Sequence, residues 1–459
     1  MTVMQKKKKV ILIPYPAQGH VNPMIKLASL LSSMGFNPII ITPEFIHRRV
    51  SHRINDGIVF MSIPDGLRDG TPRDFFSIEM AMEKNMASPL EELVRKMIMD
   101  GGEENDGGGI GFFVVDLLAS WAIEVGRRCR VAVAGFWPAM HATYRLVAAI
   151  PDLVHAGVIS EDGMCSHSFR RIPENENSPI CLSANDPTIS TSDLPWLIGS
   201  ATSRSSRFKF WTRTLDRSNT LPWIITNTFP NESQSKTTQQ ATSFDSFNTP
   251  QVLEIGSLIM KSSAMASFWE EDMSCLRWLN EQDKGSVVYV SFGSWVSPIG
   301  EAKIRSLALA LESCRRPFLW VLGSEWREGL SEGYVERIQM RGRIMSWAPQ
   351  VEVLRHNAVG CYVTHCGWNS TMESVQCMKP LLCYPIAGDQ FLNCAYIVNV
   401  WRIGVKLEGF GREEIENAIS IVLEDEQMRW RIEKLNDKLF GKEGISKARA
   451  KLMAFIQDI

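Results

Sequence analysis

The run VGCYVTH (Val359–His365) and the CGWNS that follows it constrain this chain more than any other stretch. The run is short, apolar and rich in β-branched and aromatic residues, as in a strand buried on both faces. CGWNS turns the chain at the strand's carboxyl end, and a helical run opens at Thr371, with Asn369 and Ser370 as N-cap candidates. Gly367 lets the main chain approach a ligand closely. A strand, a glycine turn and a helix N-terminus form an anion site, because free N–H groups and the positive end of the helix dipole face one point. His365 stands beside that point and can add a hydrogen bond or a positive charge. The obvious ligand is a diphosphate.

The flanking residues supply what a nucleotide-sugar needs. Trp347 can stack on a base, Gln350 can hydrogen-bond a ribose or base edge, and Glu373, one turn into the helix, can accept from ribose hydroxyls. Asp389 and Gln390 follow a second apolar run, PLLCYPI (Pro380–Ile386), where sugar hydroxyls could be held. Taken singly, each has an ordinary reading: a lone Trp is usually core and an Asp-Gln pair usually surface. Their order and spacing carry the argument.

The rest of the chain alternates strand and helix. Val10–Ile13 reads as a strand, Pro14–Asn22 as a loop and Pro23–Met34 as a helix with Pro23 in its first turn. His20 then sits in a loop at a strand's carboxyl end, the edge where open parallel sheets bind ligands. Pro38–Thr42 and Ile58–Ile63 read as strands, and Ser77–Met99 as mostly helical. Gly101–Gly109 reads as a solvated loop. Its glycines precede a strand instead of following one, so GGGIGF is not a dinucleotide fingerprint. The strand Gly111–Val115 ends in Asp116, on the same edge as His20; a helix over Ser120–Arg128 and a strand over Val131–Phe136 follow. Residues 150–220 are irregular and read as acceptor-site helices and loops. Pro222–Thr228 returns to strand, Glu232–Thr249 reads as a mobile surface loop and Ser257–Ser267 as a linker. A second series begins near Cys275: strand Ser286–Val290, then Gly293 and Ser294 in the first βα loop as a second phosphate contact. Helix Glu301–Leu311, strands Pro317–Leu322 and Gly342–Ser346, strand Ile403–Leu407 and helices from Arg412 complete it.

At 459 residues the chain exceeds one core. The alternation predicts an α/β fold of two doubly wound, Rossmann-like domains facing across a cleft. The expected division is residues 1–256, a linker over 257–275, a second domain over 276–440 and a last helix over 441–459. A net charge of −2 gives no reason to expect nucleic acid or an anionic membrane as partner. No stretch of about 18 apolar residues occurs, so no membrane span is expected. The apolar run after Lys6–Lys9 breaks at Pro14 and Pro16, too soon for a signal peptide. Ten cysteines without a C-x-x-C predict reduced core thiols and no zinc. Sequons stand at Asn231 and Asn369, and a glycan on Asn369 would block the phosphate site. A cytoplasmic monomer is expected.

The stretch Trp347–Gln390 resembles the signature box of the plant UDP-glycosyltransferases, the family 1 enzymes that glucosylate small molecules. W-x-P-Q, T-H-C-G-W-N-S, E-S and D-Q are all in place. Outside the box, G-H-V-N-P (Gly19–Pro23), VVD (Val114–Asp116), NTF (Asn227–Phe229) and VYVSFGS (Val288–Ser294) extend the resemblance over nearly the whole chain. It implies the GT-B fold, in which the last helix crosses back to the N-terminal domain. It also implies that Trp347 stacks on uracil, with Ala348 beside it in the donor site, and that Gln350 and Glu373 bind the ribose. His365, Gly367, Asn369, Ser370 and Ser294 would hold the diphosphate, and Trp368, Asp389 and Gln390 the sugar. His20 would be the general base and Asp116 its orienting partner. Gln390 accompanies glucose in the family, where His accompanies galactose, so the implied donor is UDP-glucose. One departure is Met378, where the family usually has Gly; a left-handed helix end there would cost a non-glycine residue about 1 kcal/mol.

The expected reaction is an inverting transfer of glucose to a hydroxyl or carboxyl of a small lipophilic plant metabolite such as a flavonoid, phenolic, terpenoid or hormone. No acidic pair at metal-ligand spacing accompanies the phosphate site, so neither a metal nor another cofactor is expected. A nicotinamide oxidoreductase would share the alternation but needs a glycine fingerprint after a strand. A non-catalytic nucleotide-sugar-binding protein could have lost His20 or Asp116, and both are present.

Overall fold

Runs such as VILI and FFVV are apolar at consecutive positions, so both faces of the strands they form must be covered. A parallel sheet between helical layers does this. The computed structural model describes residues 7–50, 57–100, 109–164, 179–229, 250–256, 271–293 and 299–459. In the first domain the strands are β1 (Lys9–Ile13), β2 (Asn37–Pro43), β3 (Val59–Ile63), β4 (Ile110–Asp116) and β5 (Ala132–Trp137). A separate antiparallel pair, β6 (Pro179–Ile180) and β7 (Ile189–Ser190), precedes β8 (Trp223–Thr226) and β9 (Gln251–Glu254). The large sheet runs β3-β2-β1-β4-β5-β8-β9 with every pair parallel. The second domain holds β10 (Val287–Ser291), β11 (Phe318–Val321), β12 (Gly342–Met345), β13 (Val359–Thr364), β14 (Leu381–Cys383) and β15 (Gly404–Lys406). These pair in the order β12-β11-β10-β13-β14-β15, again all parallel. Both sheets reverse their strand order once, between β1 and β4 and between β10 and β13. The crevice at the carboxyl ends of such a pair is where doubly wound sheets bind ligands.

The helix after β1 starts earlier than its sequence suggests. It spans Gln18–Ser33, so His20 lies in its first turn and not in a loop, and Pro23 is inside it. Proline has no N–H, so the carbonyl four residues back, that of Gly19, lacks its helical donor. Asn369 of the other domain supplies one, its Nδ2 donating to Gly19 O at 2.8 Å. Trp368 makes a second bond between the domains, Nε1 to Asn227 O at 2.8 Å. Away from the cleft lining, Arg145 forks onto Asp186 at 2.8 and 2.8 Å, and Tyr396 also donates to Asp186.

The signature helix also opens earlier than expected, at Trp368, with Gly367 as N-cap in place of Asn369 or Ser370. Cys366 adopts a left-handed φ of 66°, which turns the chain straight off β13, and the Asn369 and Ser370 side chains bond elsewhere. Met378 closes this helix at φ 55° while 54% exposed, so methionine does occupy a left-handed helix end. The final helix, Lys442–Asp458, lies on the first domain. Its Leu452 and Phe455 are buried in that domain's core, with the Phe455 ring edge-on to Phe112 and Trp223 at 5.7 Å each. The expected loop at Gly101–Gly109 lies, but for Gly109, outside the described residues, as do those at Glu232–Thr249 and Ser257–Ser267. Among the described residues no helix is long and apolar enough to cross a membrane.

Candidate active site

The carboxyl edges of the two sheets enclose a cleft of about 700 Å³. On the first-domain side, His20 Nδ1 and Asp116 Oδ2 are 2.8 Å apart. Asp116 is the last residue of β4, not the first beyond it, and is fully buried. Its other oxygen accepts from Leu118 N at 2.9 Å, capping the turn that follows. A buried carboxylate accepting both bonds fixes the proton on Nδ1 and leaves Nε2 as the ring's basic nitrogen. His20 remains partly exposed at the cleft, with the Tyr15 ring 5.1 Å away.

On the opposite side, His365 and the first turn of helix Trp368–Gln376 line the cleft. The first N–H groups of a helix have no partner within it, so this turn presents donors and a positive dipole end. His365 is buried, its Nδ1 without a partner among the described residues. Burial pushes its pKa down to about 4, so the ring is neutral at pH 7 and offers a hydrogen bond; the positive charge allowed by sequence is not there. The ring fits only because its neighbours lack side chains: a Cβ on Gly367 would come within 2.5 Å of it, and one on Gly293, which has φ 76°, within 2.7 Å. Ser294 lies outside the described residues.

Deeper in this half, Gln350 opens a helix behind Trp347 and Ala348, which follow β12; Trp347 is half-buried and Ala348 buried. The Gln350 amide is held from every direction. Tyr289 and Tyr362 donate to its oxygen at 3.3 and 3.1 Å, while its nitrogen donates to Ser370 Oγ at 3.1 Å and Glu373 Oε2 at 2.8 Å. Burial raises the Glu373 pKa, and the Lys26 charge opposes that. Asp389 and Gln390 lie beyond. Gln390 is buried, and its carbonyl oxygen accepts from Ile386 N and Ala387 N at 2.9 Å each. Only its NH₂ is left to donate, so it cannot both donate to and accept from sugar hydroxyls. Asn393 donates to Asp389 Oδ2 at 2.9 Å, yet burial still raises the Asp389 carboxyl. Trp368 is buried with its indole on Asn227, so its main-chain N–H is what it offers an anion.

Sequence reading missed several residues of the cleft. Lys26 is the one Lys, Arg, Asp or Glu of helix Gln18–Ser33, and that isolation was a usable signal. Asn393, which holds Asp389 from outside the cleft lining, stands one helical turn after it, the spacing at which helical side chains meet. Tyr15 and Arg207 carry no such mark. The cysteines also group in a way that spacing hid. Cys366, Cys383 and Cys394 bring their sulfurs within 4.8 Å of one another, all buried. Burial holds the Cys366 and Cys383 thiols well above their usual range, so they pack as small apolar groups.

Comparison with known proteins agrees with this geometry. Residues 247–438 match the family model for UDP-glucoronosyl and UDP-glucosyl transferases. UDP-glycosyltransferase 82A1 of Arabidopsis thaliana is 50% identical, covering 95% of each chain. Linamarin synthase 1 of Manihot esculenta is 32% identical over 92% of this chain and 90% of its own. Among solved structures, a UDP-glucosyltransferase from Polygonum tinctorium superposes with a TM-score of 0.80 over 100% of both chains at 23% identity. Medicago truncatula UGT71G1 complexed with UDP-glucose gives 0.78 over 100% and 99%, at 22% identity. Two parallel sheets meeting edge to edge are the GT-B arrangement, and half of the residues are shared with a relative along nearly the full length. The chain therefore belongs to the plant UDP-glycosyltransferases, family 1 glycosyltransferases of the GT-B fold.

Proposed function

We propose that this glycosyltransferase takes glucose from UDP-glucose and passes it, with inversion, to a small lipophilic acceptor. The observation that carries the reading is the 2.8 Å His20–Asp116 pair facing a helix N-terminus across one cleft. An acceptor hydroxyl gives its proton to His20 Nε2 as its oxygen attacks the anomeric carbon. Asp116 holds the ring's tautomer and stabilises the imidazolium that forms. The bond to the β-phosphate oxygen breaks, and charge grows on that phosphate. The first-turn N–H groups of Trp368, Asn369 and Ser370, with His365 as a neutral donor, stabilise it in place. One displacement turns an α-linked donor into a β-glucoside.

The remaining roles follow from position. Trp347 is the base platform. Glu373, held by Gln350, takes the ribose hydroxyls. Asp389 and the Gln390 amide take the glucose hydroxyls. No metal ion is needed in this scheme, because the helix end already supplies fixed positive potential. A cytoplasmic monomer fits best: the nine described cysteines are free, and a glycan on Asn369 Nδ2 would displace its bond to Gly19.

The test is UDP release from UDP-glucose over a panel of phenolics, flavonoids, terpenoids and plant hormones, with the product's anomeric configuration read by NMR. β-Glucosides formed without added metal are expected. Preference for UDP-galactose or UDP-glucuronate, or activity abolished by EDTA and restored by Mg²⁺, would overturn it.

A further inference from the structure

The acceptor side of the cleft is walled by Phe75, Leu118, Trp137, Ile198 and Trp211, and into the same space comes the guanidinium of Arg207, on helix Ala201–Ser218. The other arginines of that helix are engaged. Arg204 donates to the Gly199 carbonyl at 2.9 Å, Arg213 pairs with Glu79 and Glu83, and Arg217 forks onto Glu83. Arg207 has no ion pair or hydrogen bond among the described residues, and its Nε is buried without a partner. Its guanidinium lies over the Phe75 ring at 4.2 Å and the Phe76 ring at 5.2 Å. The nearby carboxylates are occupied: Glu79 by Arg213 at 2.6 Å, and Asp74 by Ser77 N at 2.8 Å as a helix cap. A half-buried guanidinium on aromatic rings without a counter-ion is costly, and its planar fork matches a carboxylate.

Tyr15 relates this cation to the proposed base. Its ring packs on His20 at 5.1 Å, and it lines the same cleft as Arg207. Arg207, Tyr15 and His20 line one cleft, so an acceptor whose anionic group is held by Arg207 can present a different group to His20.

We propose that the acceptor is a lipophilic hydroxy acid. Arg207 binds its carboxylate, the aromatic walls take its hydrocarbon body, and a hydroxyl elsewhere on the molecule is glucosylated. This rests on the glycosyl-transfer reading above. The hydroxyl oxygen bonds to the anomeric carbon, the bond from that carbon to the β-phosphate oxygen breaks, and the hydroxyl proton passes to His20. The carboxylate is unchanged, so the product is an O-glucoside with a free acid and not a glucose ester.

The experiment uses matched pairs of hydroxy acid and methyl ester from hydroxybenzoic, hydroxycinnamic, hydroxy fatty and terpenoid series. UDP release is measured for the unsubstituted enzyme, Arg207→Met and Arg207→Lys. Binding is followed separately by tryptophan fluorescence with UDP present, since Trp137 and Trp211 line the cleft. A charge-assisted pair is worth about 10–100-fold in affinity. The acid-to-ester ratio of kcat/KM should fall by that factor in Arg207→Met, and by less in Arg207→Lys. Using the ratio cancels any general loss of folded enzyme. The product should survive mild alkali, which cleaves glucose esters. Equal use of acid and ester, equal loss of both in Arg207→Met, no binding of any acid, or an alkali-labile product would each overturn the proposal. Acids that bind through Arg207 without releasing UDP would instead keep the anion site and sink the transfer reading.

Discussion

Replacing Asp116 by asparagine should cost more activity than replacing it by alanine. The carboxylate is fully buried and uses both oxygens, one on Leu118 N at 2.9 Å and one on His20 Nδ1 at 2.8 Å. An amide has only one acceptor. If its oxygen keeps Leu118, its NH₂ donates to Nδ1 and the ring proton moves to Nε2, the atom that must take the acceptor's proton. The other rotamer sets an NH₂ against the buried Leu118 N–H at a cost of about 1–3 kcal/mol. At about 1.4 kcal/mol per factor of ten, the productive tautomer is held to between roughly one molecule in six and one in a hundred and fifty. Loss of the charge that stabilises the imidazolium adds to this, so kcat should drop roughly 10²–10⁴-fold. Alanine leaves the tautomer free and should retain several-fold more activity than asparagine. The assay is kcat for UDP release at saturating UDP-glucose with an aliphatic alcohol, with thermal melts confirming that both variants fold. Acidic phenols, partly ionised at assay pH, should narrow every gap. Asparagine outperforming alanine, or staying within about fivefold of the unsubstituted enzyme, would refute the tautomer argument.

Met378→Gly should stabilise the protein by about 1 kcal/mol, because methionine sits at φ 55° where glycine is free of strain. That is about 1–3 °C in Tm by calorimetry, with UDP-release kinetics unaltered, since Met378 is solvent-exposed at the far end of its helix. A fall in Tm would mean that its side chain contributes more than its backbone costs. His365 predicts a pH effect. Its pKa is about 4 in the fold against an ordinary 6.5, so the folded state binds fewer protons between those values and loses stability as pH falls through that window. The loss is at most about 3 kcal/mol. Urea unfolding at pH 7, 5.5 and 4.5 should therefore show the native protein weakening relative to His365→Gln, and parallel curves would count against a buried neutral imidazole.

The strands of both sheets were legible because a strand buried on two faces must be written as a continuous apolar run. β9 was not, since its QVLE is a four-residue polar-ended edge strand that buries little. The cleft-lining residues of the signature box were legible for a related reason: residue types suited to a nucleotide-sugar fall together around one strand-turn-helix unit. Helix starts were less so. Pro23 marks a first turn in most helices, and only the bond from Asn369, 350 positions away, shows why it is tolerated deeper in this one. Trp368 misled in the same manner, as its indole serves a carbonyl 141 residues distant. Arg207 could not have been found without the fold. Its significance lies in the partners its helical neighbours have and it lacks, and those partners come from residues 79 and 83.

The bonds that join the two domains differ in what they demand of the opposite chain. Asn369 and Trp368 both donate to main-chain carbonyls, at Gly19 and Asn227. Any relative with proline six places into its first helix presents the former, whatever its other residues. Arg145, Asp186 and Tyr396 instead match side chain to side chain. Exchange of halves between relatives should thus be permissive at the cleft and selective at this part-buried side-chain cluster. A hybrid that keeps this donor half can accept a foreign acceptor half if that half carries an arginine at 145 and an acid at 186 to meet Tyr396.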